Sequence, residues 1–127
     1  VVKRGVTDVT VWDVSNTHMS YLISEAFRVG HIILACPTYN LGVYPPMKNF
    51  LHDMVALNMQ KRTVGIIENG TWAPTSGEEM KKILDQMFEI YYLDAEVSFM
   101  SAPDDNTDKE LEAMADAIVA SVQKQAK

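Results

Sequence analysis

One cysteine, few basic residues and no long apolar run set the first limits on this chain. Cys36 has no second cysteine to pair with, so an internal disulfide is excluded and a reducing cytoplasm is the expected setting. No stretch approaches the roughly 20 apolar residues of a membrane span, and the start lacks the pattern of a signal peptide. Lys and Arg number 11 against 17 Asp and Glu, a formal net charge of −6, and the pairs Lys61-Arg62 and Lys81-Lys82 stand alone. Phosphate contacts need clustered cations, so a nucleic-acid footprint is excluded as well. Six glycines and five prolines are too scattered to form a linker or a low-complexity tract. The 127 residues therefore read as one domain, 1–127, long enough to bury a core.

Strand-like and helix-like segments alternate along the chain. Val6 to Val14 carries β-branched residues in partial alternation, which predicts a strand with one solvated side. Ser15-Asn16-Thr17 offers cap oxygens to a helix whose apolar positions are Met19, Leu22, Ile23, Ala26 and Phe27. His31 to Ala35 is apolar on both faces, as a parallel strand covered by helices must be. Pro45-Pro46 opens a helix with the stripe Met47, Phe50, Leu51, Met54 and Val55, and Thr63 to Ile67 is the next buried strand. Thr75 to Glu79 reads as a capping box for a helix burying Met80, Ile83, Leu84, Met87 and Phe88. Ala95 to Met100 is the last predicted strand. Asp104 and Asp105 lie at the positive end of a final helix capped by Thr107 with Glu110, its stripe being Leu111, Met114, Ala115, Ile118, Val119 and Val122. This order means βαβ units, a parallel sheet and right-handed crossovers.

Two loops follow strands in this scheme, at the carboxyl ends where open α/β sheets bind ligands. One runs from Ala35 to Met47 and contains Pro37-Thr38-Tyr39-Asn40-Leu41-Gly42 and Tyr44-Pro45-Pro46-Met47; the other is Glu68-Asn69-Gly70-Thr71-Trp72-Ala73-Pro74. Asn and Gly favour turns in any case. Two such loops at adjacent strand ends reverse that reading, and Trp72 weighs most, because a large aromatic at a loop tip is costly unless it covers something. With these motifs the chain resembles the flavodoxin domain that ends flavodiiron proteins, also called A-type flavoproteins. The similarity runs over nearly all 127 residues, including Trp12-Asp13-Val14-Ser15. It implies a flavodoxin-like, doubly wound parallel sheet in three α/β/α layers. It also implies an FMN site built from Pro37, Thr38, Tyr39, Asn40, Gly42, Glu68, Asn69, Gly70, Thr71 and Trp72. In that family the Thr38-Tyr39-Asn40 segment lies along the ring edge, and the segment from Asn69 to Trp72 contacts the pyrimidine and one face.

One departure is large. The family's first strand, its hydroxyl- and glycine-rich phosphate turn and most of its first helix have no counterpart here, and Val1 to Gly5 reads as the end of that helix. The chain is thus expected to be a fragment or a truncated product, starting at the family's second strand. In the family order 2-1-3-4-5, the missing strand would lie between Val9–Val11 and Ile32–Leu34. A vacant slot exposes two rows of backbone donors and acceptors, so pairing of the two flanking strands, a partner chain or a homo-oligomer through that position is expected. Weak or absent FMN binding by this chain alone follows from the missing phosphate contacts.

Other chemistries fail on particular residues. A receiver domain needs an aspartate where Ala35-Cys36 stands, and a low-molecular-weight phosphatase needs Arg where Gly42 stands. His18, His31 and His52 have no metal-ligand spacing. There is no dinucleotide glycine motif and no nucleophile elbow. The resemblance implies an electron carrier without a catalytic centre of its own. Its partners would be a rubredoxin-type or flavin-reductase-type protein and a diiron domain that reduces oxygen or nitric oxide. The competing expectation is a cofactor-free remnant serving as a structural or interaction domain.

Overall fold

The computed structural model describes residues 5–39, 42–70, 76–93, 96–100 and 105–125. Along these run α1 (Met19–Arg28), β1 (His31–Tyr39), β2 (Gly42–Val43), α2 (Pro45–Ala56), β3 (Arg62–Gly70), α3 (Ser76–Leu84), β4 (Ile90–Tyr92), β5 (Val97–Met100) and α4 (Asp105–Gln125). The four helices are those the periodicity predicts. β3 is the middle strand: it lies parallel to β1 from His31 opposite Thr63 to Pro37 opposite Asn69. On its other side it pairs in parallel with β4 at Arg62–Val64 and with β5 at Ile67–Gly70. β4 and β5 are therefore two pieces of one interrupted edge, linked to β3 between them by the Leu93 N–H, which donates to the Val64 carbonyl at 2.9 Å. The strand expected at 95–100 is β5. β4 escaped prediction because three residues are too few for alternation to register.

Alternation along β3 separates two cores. Val64 and Ile66 face α1, α2 and α3, where they pack with Leu22, Leu34, Phe50, Leu51, Met54, Met80 and Leu84. Gly65 and Ile67 face α4, whose Met114, Ile118 and Val119 pack with Leu93 and Val97. A Cβ on Gly65 would lie 3.0 Å from Leu93 Cδ1 and 3.5 Å from Met114 Sδ, so the missing side chain is what lets this layer close down on the sheet. The result is three layers, α/β/α.

Several expected details differ. Val6 to Val14 is not a strand: among the described residues no backbone ladder pairs it, and Val11 is 93% exposed, with Val9 and Trp12 also exposed. A strand needs a neighbour for its N–H and C=O groups. Here the segment is held by side chains instead, through Asp8 on Arg28 at 3.1 Å and the Thr10 hydroxyl donating to Glu25 at 3.1 Å. Ser15 and Asn16 do not cap α1. They wrap the Asp13 carboxylate at 2.6–3.0 Å, which holds it below the ordinary carboxylate range. His18 caps α1, its Nδ1 accepting from the Ser20 N–H at 3.2 Å. Thr107 does not cap α4 either. The helix begins at Asp105, Thr107 is buried inside it, and Glu110 reaches across to accept from the Ser98 N–H at 3.2 Å. Of the predicted stripes, Phe27, Phe88 and Leu111 are largely exposed. Phe88 lies beyond the end of α3, and Phe27 has the Arg62 guanidinium 5.9 Å over its ring. The capping box at 75–79 has Thr75 outside the described residues.

Candidate cofactor site

The carboxyl ends of β1 and β3 lie side by side. In register, Cys36 stands opposite Glu68 and Pro37 opposite Asn69; on the far side Ser98 and Phe99 of β5 stand opposite the same two β3 residues. Pro37 removes a ladder donor, which is tolerated on β1 because β3 is its only parallel neighbour among the described residues. Beyond Pro37 the chain turns back as a tight antiparallel ribbon, Thr38 opposite Val43 and Tyr39 opposite Gly42. This ribbon was missed by sequence reasoning. Seven of the ten expected site positions thus have backbones gathered at two adjacent strand ends: Pro37, Thr38, Tyr39, Gly42, Glu68, Asn69 and Gly70. Asn40, Thr71 and Trp72 lie outside the described residues.

Glu68 faces inward. Counting by two from Val64 and Ile66 places it on the α3 side of the sheet, and its Oε2 accepts from the Gly77 N–H at the start of α3 at 2.6 Å. Gly77 is buried and was not singled out by the sequence. α3 has Glu78 and Glu79 in its first turn, and α2 opens on Pro45-Pro46, with no side-chain cap from Tyr44. Neither helix start is therefore arranged for a phosphate. Proline has no N–H to offer at one, and carboxylates already surround the other.

The remaining chemistry-bearing groups lie elsewhere or are engaged in packing. Cys36 is buried, with its Sγ 3.8 Å from Met80 Sδ, as expected for a small packed residue. His31 sits at the opposite end of β1, its Nε2 2.9 Å from the Ser121 hydroxyl, and burial pushes its pKa down. Tyr92 donates to Asp85 at 2.6 Å; burial first, and then that carboxylate, push its pKa up. Among the described residues no group of three or more His, Cys, Asp or Glu could hold a metal ion. No described helix is long and apolar enough to cross a membrane.

No protein-family profile and no curated protein matches the chain. Solved structures do. A rubredoxin:oxygen oxidoreductase from the anaerobe Desulfovibrio gigas superimposes with a TM-score of 0.83 at 23% identity, over 93% of this chain and 29% of that one. The metal-soaked flavodiiron core from Synechocystis sp. PCC6803 gives 0.78 at 18% identity, over 99% of this chain and 30% of that one. A flavodoxin from the domain Archaea gives 0.64 at 18% identity, over 86% of this chain and 73% of that one. The chain thus spans less than a third of the first two proteins and has the flavodoxin-like fold that all three share.

Proposed function

We propose that this chain is an FMN-binding electron-transfer module of flavodoxin type, working within a flavodiiron-type oxygen or nitric oxide reductase. The observation that carries the reading is the pair of strand ends. β1 and β3 finish in register at Pro37 and Asn69, and each leads into a loop whose residues match those that hold a flavin ring. The residues fit the ring end of the cofactor. Thr38, Tyr39 and Asn40 would run along its edge, Asn69, Gly70 and Thr71 would meet the pyrimidine, and Trp72 would cover one face. Gly42 and Gly70 would let backbone N–H groups approach closely. When bound, FMN supplies the redox chemistry, and the protein's part is to orient the ring, exclude water from it and set the polarity around it. The name of the Desulfovibrio neighbour supports rubredoxin as the kind of electron donor, with a flavin reductase as the alternative; the acceptor is a diiron centre in another domain. A lone, buried cysteine accords with a cytoplasmic setting.

A cofactor-free structural or interaction domain is the second reading, favoured by the two helix starts that are closed to a phosphate. The visible absorption spectrum separates the two. Titration with FMN, read without separating ligand from protein, perturbs the flavin band if the ring site operates. An unperturbed band at FMN concentrations up to the millimolar range overturns the first reading in favour of the second.

A further inference from the structure

We propose that Glu68 is a positioning residue: it ties the end of β3 to the start of α3, and it does not touch the cofactor. The significance for flavin rests on the function proposed above; the tether itself does not. Two features of the structure carry the inference, both set by where the Glu68 carboxylate lies. The first is the 2.6 Å hydrogen bond from the Gly77 N–H to Oε2, which joins residues nine apart in the chain across the whole connection. The second is the glycine. A Cβ at position 77 would lie 2.7 Å from Oε2, 3.0 Å from Cδ and 3.3 Å from Ile66 Cγ2. Those distances are too short for any residue but glycine unless the carboxylate moves. Gly77 has no positive φ, and the first group a side chain there would meet is the Glu68 carboxylate, which would have to shift.

The chemistry suits the task. The first N–H groups of a helix have no partner within it, and a carboxylate is the strongest acceptor a side chain can bring to them. Supplied from a neighbouring strand, it joins two elements where a cap from the adjacent residue would secure one. Its direction also matters. Period-two alternation sends Glu68 toward α3 with Val64 and Ile66, away from the opposite face of the sheet. A site whose ring-covering residues lie between two tethered points binds with less ordering cost than one whose ends are free.

The test uses Glu68→Ala, Glu68→Gln and Gly77→Ala, with hydrogen exchange of the Gly77 amide read first, without ligand, and FMN titration second. A hydrogen bond to a charged group sets opening at about 10- to 100-fold. Glu68→Ala is therefore expected to speed exchange at residue 77 by at least about tenfold. Glu68→Gln, which keeps a neutral acceptor oxygen, is expected to change it by less than Glu68→Ala, about fivefold. The Gly77→Ala variant displaces the carboxylate from the other side and should match Glu68→Ala, and it decides the matter if the latter fails to fold. FMN affinity should fall in both tether-breaking variants and return in Glu68→Gln. Unchanged exchange at residue 77 in Glu68→Ala and Gly77→Ala overturns the tether. Exchange within about fivefold of the parent in Glu68→Gln, with FMN affinity as low as in Glu68→Ala, overturns the positioning role, because the carboxylate then acts on the cofactor directly. If the parent protein binds no FMN, the proposed function fails, and the amide exchange alone decides for or against the tether.

Discussion

A phosphate site leaves a measurable signature in the preference for FMN over riboflavin, and the described residues supply almost nothing toward one. A phosphate dianion gripped by three charge-assisted hydrogen bonds of about 1.5 kcal/mol each gains at least ~4.5 kcal/mol, more than a thousandfold in affinity. The donors that the described residues place near the ring loops do not reach that count. α2 begins on two prolines, which carry no N–H. At α3 the Gly77 N–H is taken by Glu68, with Glu78 and Glu79 beside it. The overall charge of −6 adds a small repulsion that salt screens over about 8–10 Å. The expected outcome is that the chain by itself binds riboflavin within about tenfold of FMN, the ring contacts being common to both. Isothermal or fluorescence titration of the two ligands at several salt concentrations checks this. FMN bound a thousandfold more tightly than riboflavin would mean that a phosphate cradle exists elsewhere on the chain, and would refute the reasoning.

Four further outcomes are expected. Replacing Trp72 by Ala should weaken flavin binding by about tenfold and shift the flavin potential, as stacking area and polarity change together; titration and potentiometry check this. Leu51→Ala, at a side chain 1% exposed, should cost about 2–5 kcal/mol in urea unfolding, whereas Leu111→Ala at 39% exposure should cost well under 1 kcal/mol. Burial lowers the pKa of His31, so the folded state resists protonation there; stability should be full above the ordinary value of 6.5 and decline as pH falls below it. The decline should vanish in His31→Gln, as Tm across pH 4.5–7.5 would reveal. The parent chain should self-associate at high concentration and Ile33→Lys should suppress this in light scattering, because a charge on an open strand edge opposes pairing between copies.

Helices were legible in this sequence because each carries its own periodic stripe. α2 is an example: Met47, Phe50, Leu51 and Met54 are all buried as the spacing requires. Strands were legible where an apolar run marks them, as in β1, β3 and β5, although Ile33 and Ala35 of β1 are exposed. Alternation in Val6 to Val14 was real but insufficient, since a strand is defined by a neighbour that local sequence cannot supply. The caps misread in the same way. Ser15 and Glu110 have the chemistry of caps, yet other partners claimed them: Asp13, two residues away, for the first and Ser98 across the fold for the second. For the site, motif order correctly placed Pro37 and Asn69 at adjacent strand ends. The Glu68–Gly77 bond was not legible, because it depends on how far α3 lies above the sheet and no local pattern encodes that distance.

The exposures around β1 have one origin. Among the described residues, nothing pairs with this strand from His31 to Pro37 on the side away from β3. On the α4 face, Ile33 is 38% exposed and Ala35 is exposed as well, although α4 reaches β1 at its other end through Ser121 on His31. On the opposite face, α1 docks through Leu22 and Ala26, and the segment before it is held by Val6 and Val14 against the two cores and by the Asp8–Arg28 pair and the Thr10–Glu25 bond. Exposed ion pairs of that kind contribute roughly 0–1 kcal/mol. The same strand ends in the Pro37–Gly42 ribbon that forms one side of the candidate site. A segment laid parallel along the open edge would therefore also finish beside that ribbon, next to the ring site proposed above. Completing the sheet and completing the cofactor grip would then be a single structural event at one edge of β1.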